Sequence, residues 1–312
     1  MLDLARVERA AAEIDPVFRD SPQFLAEELG GPLGCDLVLK VETVNPIRSF
    51  KGRGTDWLAR SGGEGPLACA SAGNFGQGLA YAGRSNGREV HVFVAADANP
   101  LKVERIRALG ATVTEIDGDF DDAREAVVSA SGERGWQLVV DGLDAEIAEG
   151  AGTMAVELAR LPPLDAVLVP VGNGSLICGV AGWLKHTSPE TEVIAVGPDG
   201  APAMERAWRT GDTSADEPTT TIADGLASRV PVPEAVELMR TVVDRFVLVN
   251  DDAMLRAVRL LYERCGLITE PSGAAGIAAA MALKAELRDR RVGVPLCGSN
   301  VTPDLLRRAL SS

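Results

Sequence analysis

Short β-branched runs alternate with alanine-rich stretches along almost the whole chain, and this alternation restricts the fold more than any other feature. Strand-like runs lie at 36–42, 89–95, 112–116, 136–140, 166–171, 193–196, 245–249 and 291–296. Between them the residue pattern predicts helices over 76–85, 100–109, 120–131, 150–159, 176–186, 251–265 and 274–288. Strands separated by helix-length segments pair in parallel through helical crossovers, so the pattern predicts an α/β protein with mostly parallel sheets flanked by helices. The segment 62–141 is long enough for a compact four-strand lobe, inserted into a larger domain made from 1–61 and 142–312. Leu101, Arg105 and Leu109 recur at helical spacing before Gly110, which reads as a helix closed by a glycine cap. The polar run at 211–221 reads as a loop.

Several function classes are excluded before any motif is considered. The formal net charge of −14 would repel nucleic acid and anionic membrane surfaces, so neither is expected as a partner. No run of apolar residues is long enough for a membrane span. The first residues, Met-Leu-Asp-Leu-Ala-Arg-Val-Glu-Arg, lack the apolar stretch of a secretory signal, so a cytoplasmic location is expected. Cys35, Cys69, Cys178, Cys265 and Cys297 are scattered and form no Cys-x-x-Cys pair, which gives neither a disulfide framework nor a zinc site. The two histidines, His91 in a strand-like run and His186 at the end of a helix-like one, suit structural roles. A Ser-His-Asp triad or a multi-histidine metal centre is therefore not expected. If the chain is an enzyme, then a lysine, a carboxylate or a cofactor moves its protons.

Five segments carry candidate chemistry. Residues 45–54 (Asn-Pro-Ile-Arg-Ser-Phe-Lys-Gly-Arg-Gly) place Lys51 among small residues beside Phe50, where an amine can enter a cleft and form an imine with an aldehyde. An exposed lysine in a basic turn fits the same ten residues, and only the other motifs decide. Residues 167–176 (Val-Leu-Val-Pro-Val-Gly-Asn-Gly-Ser-Leu) run from a strand through a glycine-rich turn into a helix, which suits a phosphate at the helix N-terminus. Neither the Walker pattern nor Gly-x-Gly-x-x-Gly is matched. Residues 71–78 (Ser-Ala-Gly-Asn-Phe-Gly-Gln-Gly) repeat the strand–turn–helix logic, and their amides with Asn74 suit a carboxylate. Residues 270–275 offer Ser272 as a helix cap after Glu270, and 295–300 (Pro-Leu-Cys-Gly-Ser-Asn) open a strand end into a small-residue turn. Taken singly, these last two are structural.

In this order the segments resemble the fold type II pyridoxal-5'-phosphate (PLP) enzymes, and within them the serine/threonine dehydratase and serine racemase family. The resemblance covers roughly residues 20–301. Thr221-Ile222-Ala223-Asp224-Gly225 and the segment 147–153 (Ile-Ala-Glu-Gly-Ala-Gly-Thr) are further matches. It implies a two-lobed fold like that of tryptophan synthase β, PLP as cofactor and a homodimer. It assigns Lys51 to the imine with the cofactor and then to acid–base work, with Phe50 packed on the pyridine ring. Asn74 is implied to hydrogen-bond the 3'-oxygen. Gly172, Asn173, Gly174, Ser175 and Leu176 are implied to cradle the phosphate, and Glu270 to lie near the ring. Ser71, Ala72, Gly73 and Asn74 would receive the substrate carboxylate.

Departures from the family pattern sharpen the expectation. Asn173 and Ser175 interrupt a loop that is usually all glycine, and Phe75 stands where a histidine is usual. Cys297 occupies the place of a serine facing the pyridine nitrogen, with Ser299 as the other candidate. A thiol is a weak hydrogen-bond partner and would leave that nitrogen neutral, which suits prompt loss of a β-leaving group. Ala72 lies where racemases carry an acid–base serine. Gly197 and Ala203 lie where relatives hold a divalent cation, so no metal is expected. The regulatory domain of biosynthetic threonine dehydratases is likewise not expected. The expected activity is α,β-elimination from an L-β-hydroxy amino acid such as threonine or serine. The alternatives are β- or γ-replacement, racemisation, and a non-catalytic binding protein that keeps the fold.

Overall fold

The computed structural model describes residues 2–311. Asp3 opens α1 (Leu4–Glu13) by accepting from the N–H groups of Ala5 and Arg6. Then follow β1 (Gln23–Leu25), α2 (Glu27–Leu33), β2 (Asp36–Val41) and α3 (Lys51–Ser61). A regular stretch comes next: β3 (Leu67–Ala70), α4 (Asn74–Ser85), β4 (Val90–Ala95), α5 (Pro100–Ala108), β5 (Thr112–Ile116), α6 (Phe120–Arg134) and β6 (Gln137–Leu138). The chain continues with α7 (Ala145–Leu158), β7 (Ala166–Pro170), α8 (Ser175–Thr187), β8 (Glu192–Pro198), α9 (Ala203–Thr210) and α10 (Pro233–Val242). It ends with β9 (Arg245–Val249), α11 (Asp251–Cys265), α12 (Pro271–Ala282), β10 (Arg291–Leu296) and α13 (Pro303–Ser311).

The strands form two sheets. β5-β4-β3-β6 is parallel throughout, and all its strands fall between residues 67 and 138. The other sheet has the order β1-β2-β10-β7-β8-β9 and is parallel except for the β1–β2 pair. Helices cover both faces of this larger sheet, so successive side chains of one strand enter different cores. Leu37, Leu39, Leu168 and Ile194 pack towards α11 and α12, whereas Val38, Val167, Val169 and Val193 pack towards α7 and α8. That two-sided burial explains why the strands read as continuous apolar runs rather than alternating ones.

Several boundaries differ from the sequence reading. The run at 136–140 pairs only over β6, because Val140 N–H turns away to the Asp144 carboxylate at 2.6 Å. α12 begins at Pro271, which is tolerated in a first turn, and stops at Ala282 rather than 288. α7 begins at Ala145, five residues before the expected 150. Helix α3 was not expected, since Gly52 and Gly54 weaken a helix. Packing requires them: a Cβ on Gly54 would lie 2.5 Å from the carbonyl oxygen of Ile147 in α7. His91 stacks on Trp136 with ring centroids 3.7 Å apart, and His186 lies in the last turn of α8. Among the described residues no helix is long and apolar enough to cross a membrane.

Candidate active site

Five chain segments leave the carboxyl ends of β2, β3, β6, β7 and β10, the end of a parallel sheet at which ligands bind. The loop from β2 to Lys51 is tied down on both sides. Asn45 accepts from the N–H groups of Ile47 and Ser49 at 3.2 and 3.3 Å, and its amide donates to the carbonyls of Glu42 and Ser49. Phe50 N–H donates to the Cys297 carbonyl at 3.0 Å, and Ser299 N–H donates to that of Arg48 at 2.9 Å. Arg48 is held at φ 54°, a left-handed backbone that few non-glycine residues adopt.

Lys51 then starts α3 with its side chain 14% exposed, half-buried and reachable. Its Nζ lies 4.8 Å from the centre of the Phe50 ring and 5.8 Å from that of Phe75. The ammonium donates to Asp141 Oδ2 at 2.6 Å, and Ser175 Oγ donates to Asp141 Oδ1 at 2.7 Å. Beneath α3, Arg53 is fully buried between Glu42 and Glu157, and Lys40 pairs with Glu157 from the other side. Two cations and two carboxylates thus form a neutral cluster under the lysine's helix.

The phosphate-type loop is built at the start of α8. Gly174 takes φ 101° as the N-cap residue, and no side chain caps the helix, so its first N–H groups are free for an anion. Asn173 Oδ1 accepts a hydrogen bond from the Ser228 hydroxyl. The segment 221–228 wraps this loop, fixed by Thr221 Oγ donating to Asp251 at 2.6 Å and Gly225 N–H donating to Ser272 Oγ at 3.1 Å. Ser272 therefore does not cap α12 as expected. Glu270 is the N-cap residue there, without a side-chain cap, and the Ser272 hydroxyl holds the neighbouring loop instead.

At the other sheet, Gly73 N–H donates to Ser71 Oγ at 3.2 Å, and α4 begins at Asn74, again without a side-chain cap. Residues 71–74 thus present a second uncapped helix start, whose Phe75 ring lies 5.8 Å from the Lys51 amine. Asn74 Nδ2 donates to Glu270 Oε1 at 2.6 Å, and Asn74 Oδ1 accepts from Asn300 Nδ2 at 2.7 Å. Asn300 N–H donates to Glu270 Oε2 at 3.1 Å, and Arg105 donates to Asn300 Oδ1 at 3.0 Å. Sequence reasoning nominated Asn74 and Glu270 separately, and here they form one network. It did not nominate Asp141, Asn300 or Arg105. Asp141 directly follows the strand-like run 136–140, as the glycine-rich turn at 172–176 follows 166–171, and that position was the available signal.

Burial, together with the negative charge of Asp224, pushes the Glu270 carboxyl up to about 7, against the donors from Asn74 and Asn300 and the charge of Lys102. The folded chain therefore keeps a proton that the unfolded chain releases near the ordinary carboxyl value. Glu270 contributes stability that is fully present below that value and is lost as pH rises towards 7. The expected loss is about 3 kcal/mol. Urea midpoints measured between pH 4.5 and 8 for the wild type and Glu270→Gln check this. The difference between the two should change across the window and level off above it, whereas parallel curves would contradict the assignment.

Comparison with known proteins decides the family. The sequence pattern described as "Pyridoxal-phosphate dependent enzyme" matches residues 14–298. The chain belongs to that family. The chain is 30% identical to the L-threonine ammonia-lyase of Thermotoga maritima, over 100% of this chain and 79% of that protein. It is 34% identical to the phenylserine dehydratase of Ralstonia pickettii, over 99% and 96% of the two chains. The structure of the processed threonine deaminase isoform 2 of Solanum lycopersicum superimposes with a TM-score of 0.91 at 29% identity, covering 99% of this chain and 92% of that one. Maize serine racemase gives 0.91 at 26%, covering 99% and 97%. The fold is that of the fold type II PLP enzymes, within the serine/threonine dehydratase group.

The side chains present fit PLP. Lys51 offers a reachable primary amine, and the uncapped start of α8 offers N–H donors for a phosphate. Cys297 is buried in the same core cluster as Phe50. Its thiol is pushed well above the ordinary range by burial and by the charges of Glu42 and Glu270, so it is neutral. Among the described residues no group of three or more His, Cys, Asp or Glu side chains is placed to hold a metal ion.

Proposed function

We propose that Lys51 is the base in an α,β-elimination converting an L-β-hydroxy amino acid, such as threonine or serine, to a 2-oxo acid and ammonia. The protein is a PLP-dependent lyase. Bound at Lys51 and at the start of α8, PLP supplies the electron sink for the pair left on Cα when its proton departs. Lys51 Nζ takes that proton, the Cβ–O bond breaks, and the hydroxyl leaves with a proton as water; the released enamine tautomerises to an imine, which takes up one water and splits into the 2-oxo acid and ammonia. The uncapped amides of 71–74 orient the substrate carboxylate, while Asn74, Glu270 and Cys297 border the cofactor ring. Residues 172–176 hold its phosphate.

The observation that carries this reading is the placement of the Lys51 amine between two uncapped helix starts, one suited to a phosphate and one to a carboxylate. Ala72 bears no acid–base group on the carboxylate loop, which favours elimination over racemisation. Phe75 supports a second substrate reading, a β-aryl serine, because its ring borders the Lys51 amine and a relative is named for phenylserine. Release of 2-oxo acid and ammonia from threonine, serine and phenylserine by the PLP-loaded protein tests the reading. A product formed only when a thiol is added would instead indicate replacement chemistry. The larger unit (1–61 with 142–312), the smaller one (62–141), a homodimer and a cytoplasmic location complete the proposal; the four-stranded sheet lying within 67–138 supports the division, and the family resemblance supports the dimer.

A further inference from the structure

We infer that Asp141 is a specificity-determining residue that accepts a hydrogen bond from the substrate's β-hydroxyl. This rests on the dehydratase reading above and deepens it. Asp141 has two donors in the structure, the Ser175 hydroxyl on Oδ1 and the Lys51 ammonium on Oδ2. Its side chain is only 13% exposed, and Lys51 is the one cation paired with it among the described residues.

When Lys51 Nζ is engaged in cofactor or substrate chemistry, Oδ2 loses that ammonium. A largely buried carboxylate without a donor is unfavourable, so the site then favours a ligand that supplies one. Geometry limits which ligand atom can do so. For Lys51 to take the α-proton, Cα must approach Nζ to roughly 3–3.5 Å. Asp141 Oδ2 lies 2.6 Å from the same nitrogen. The substituent on Cβ, one bond further from Cα, is therefore the substrate group within its reach. Asp141 is also held in place: Ser175 donates to its other oxygen, and a Cβ at the adjacent Gly142 would lie 2.4 Å from the Asn173 carbonyl oxygen, which shows how little room the neighbouring backbone has. A β-hydroxyl supplies the missing donor, and a β-hydrogen or β-chloride does not.

Two measurements on the cofactor-loaded protein test this. In the first, α-methyl-L-serine and 2-aminoisobutyrate, which lack an α-hydrogen and cannot eliminate, are titrated against the visible cofactor band. They differ only by the hydroxyl. The wild type should bind α-methylserine about tenfold more tightly or better, and Asp141→Ala should erase the difference. In the second, kcat/KM is compared for L-serine and β-chloro-L-alanine. Asp141→Ala should lose about thirtyfold or more with serine and stay within about threefold with chloroalanine. Asp141→Asn, which keeps the side-chain volume, and the melting temperature of both variants guard against a folding defect.

Equal binding of the two analogues by the wild type overturns the proposal. An equal loss with both reactive substrates does so as well, since Asp141 would then be serving Lys51 or the cofactor phosphate. If the wild type discriminates between the analogues yet turns over no β-hydroxy amino acid, the dehydratase reading fails and the role of Asp141 stands.

Discussion

Lys51→Ala is expected to remain folded, to show no lysine-linked visible absorbance on addition of PLP, and to lose turnover by at least about a thousandfold. The size of the effect follows from there being no substitute. Among the described residues of the segments that meet at the site, Lys51 is the lysine whose amine lies within 6 Å of two phenylalanine rings, those of Phe50 and Phe75. The neighbouring candidate, Lys102, is engaged with Asp224. The fold should survive because Lys51 is outside the buried charge cluster and its removal frees only Asp141 at the cleft. Absorbance and single-turnover measurements check both parts. A variant that keeps the visible band and full turnover would sink the assignment of Lys51.

Arg53→Met should produce the largest loss of stability of any single change near the site. Arg53 donates to Glu42 Oε2 at 2.7 Å through Nε and to Oε1 at 2.9 Å through a terminal nitrogen. It also donates to Glu157 Oε1 at 2.7 Å and Oε2 at 3.0 Å. Burial opposes its charge, yet Glu42 and Glu157 raise its pKa above the ordinary value. Removing the guanidinium leaves two buried carboxylates with Lys40 as their remaining cation. Breaking a buried pair in this way costs about 3–5 kcal/mol, because the orphaned charge is left in a poor solvent. The melting temperature should fall by on the order of 10 °C. Arg53→Lys should recover only part of this, since a single ammonium cannot make the forked contacts. Glu157 adds a pH signature. Burial would raise its carboxyl, but Arg53 and Lys40 hold it below the ordinary range. Its contribution is present above the ordinary carboxyl value and is lost as pH falls through the depressed one. A melting temperature unchanged in Arg53→Met would show that the cluster is not what holds α3 in place.

Much of the site was legible along the chain because anion-binding turns have a local grammar. A strand that runs into Gly-Asn-Gly-Ser must expose helix N–H groups wherever the fold puts it, so 172–176 could be nominated without knowing any partner. The same holds for Ser71–Asn74, whereas Lys51 was singled out only by the company of the other motifs. The α/β class was also local, since it depends on the spacing of apolar runs. Helix α3 was not legible: its glycines lower helix propensity, and only the approach of α7 shows why they are there. The cap assigned to Ser272 failed for a related reason, because a hydroxyl near a helix start can serve any donor that tertiary packing delivers, and packing delivered Gly225.

By itself the sequence determined the alternating α/β architecture and the glycine-rich turns that open helices, whereas Lys51 was nominated only by the order of all five motifs. The architecture and the turns depend on residues within a few positions of one another, where backbone sterics and helix geometry act directly. The tertiary structure alone decided that Asn74 meets Glu270, 196 positions away, and that Asp141 meets Lys51 across 90. Hydrogen bonds between distant segments leave no periodic mark on a chain. Their physical cause is the convergence of five strand ends of the two sheets with the start of α12, where burial makes each polar group seek a partner.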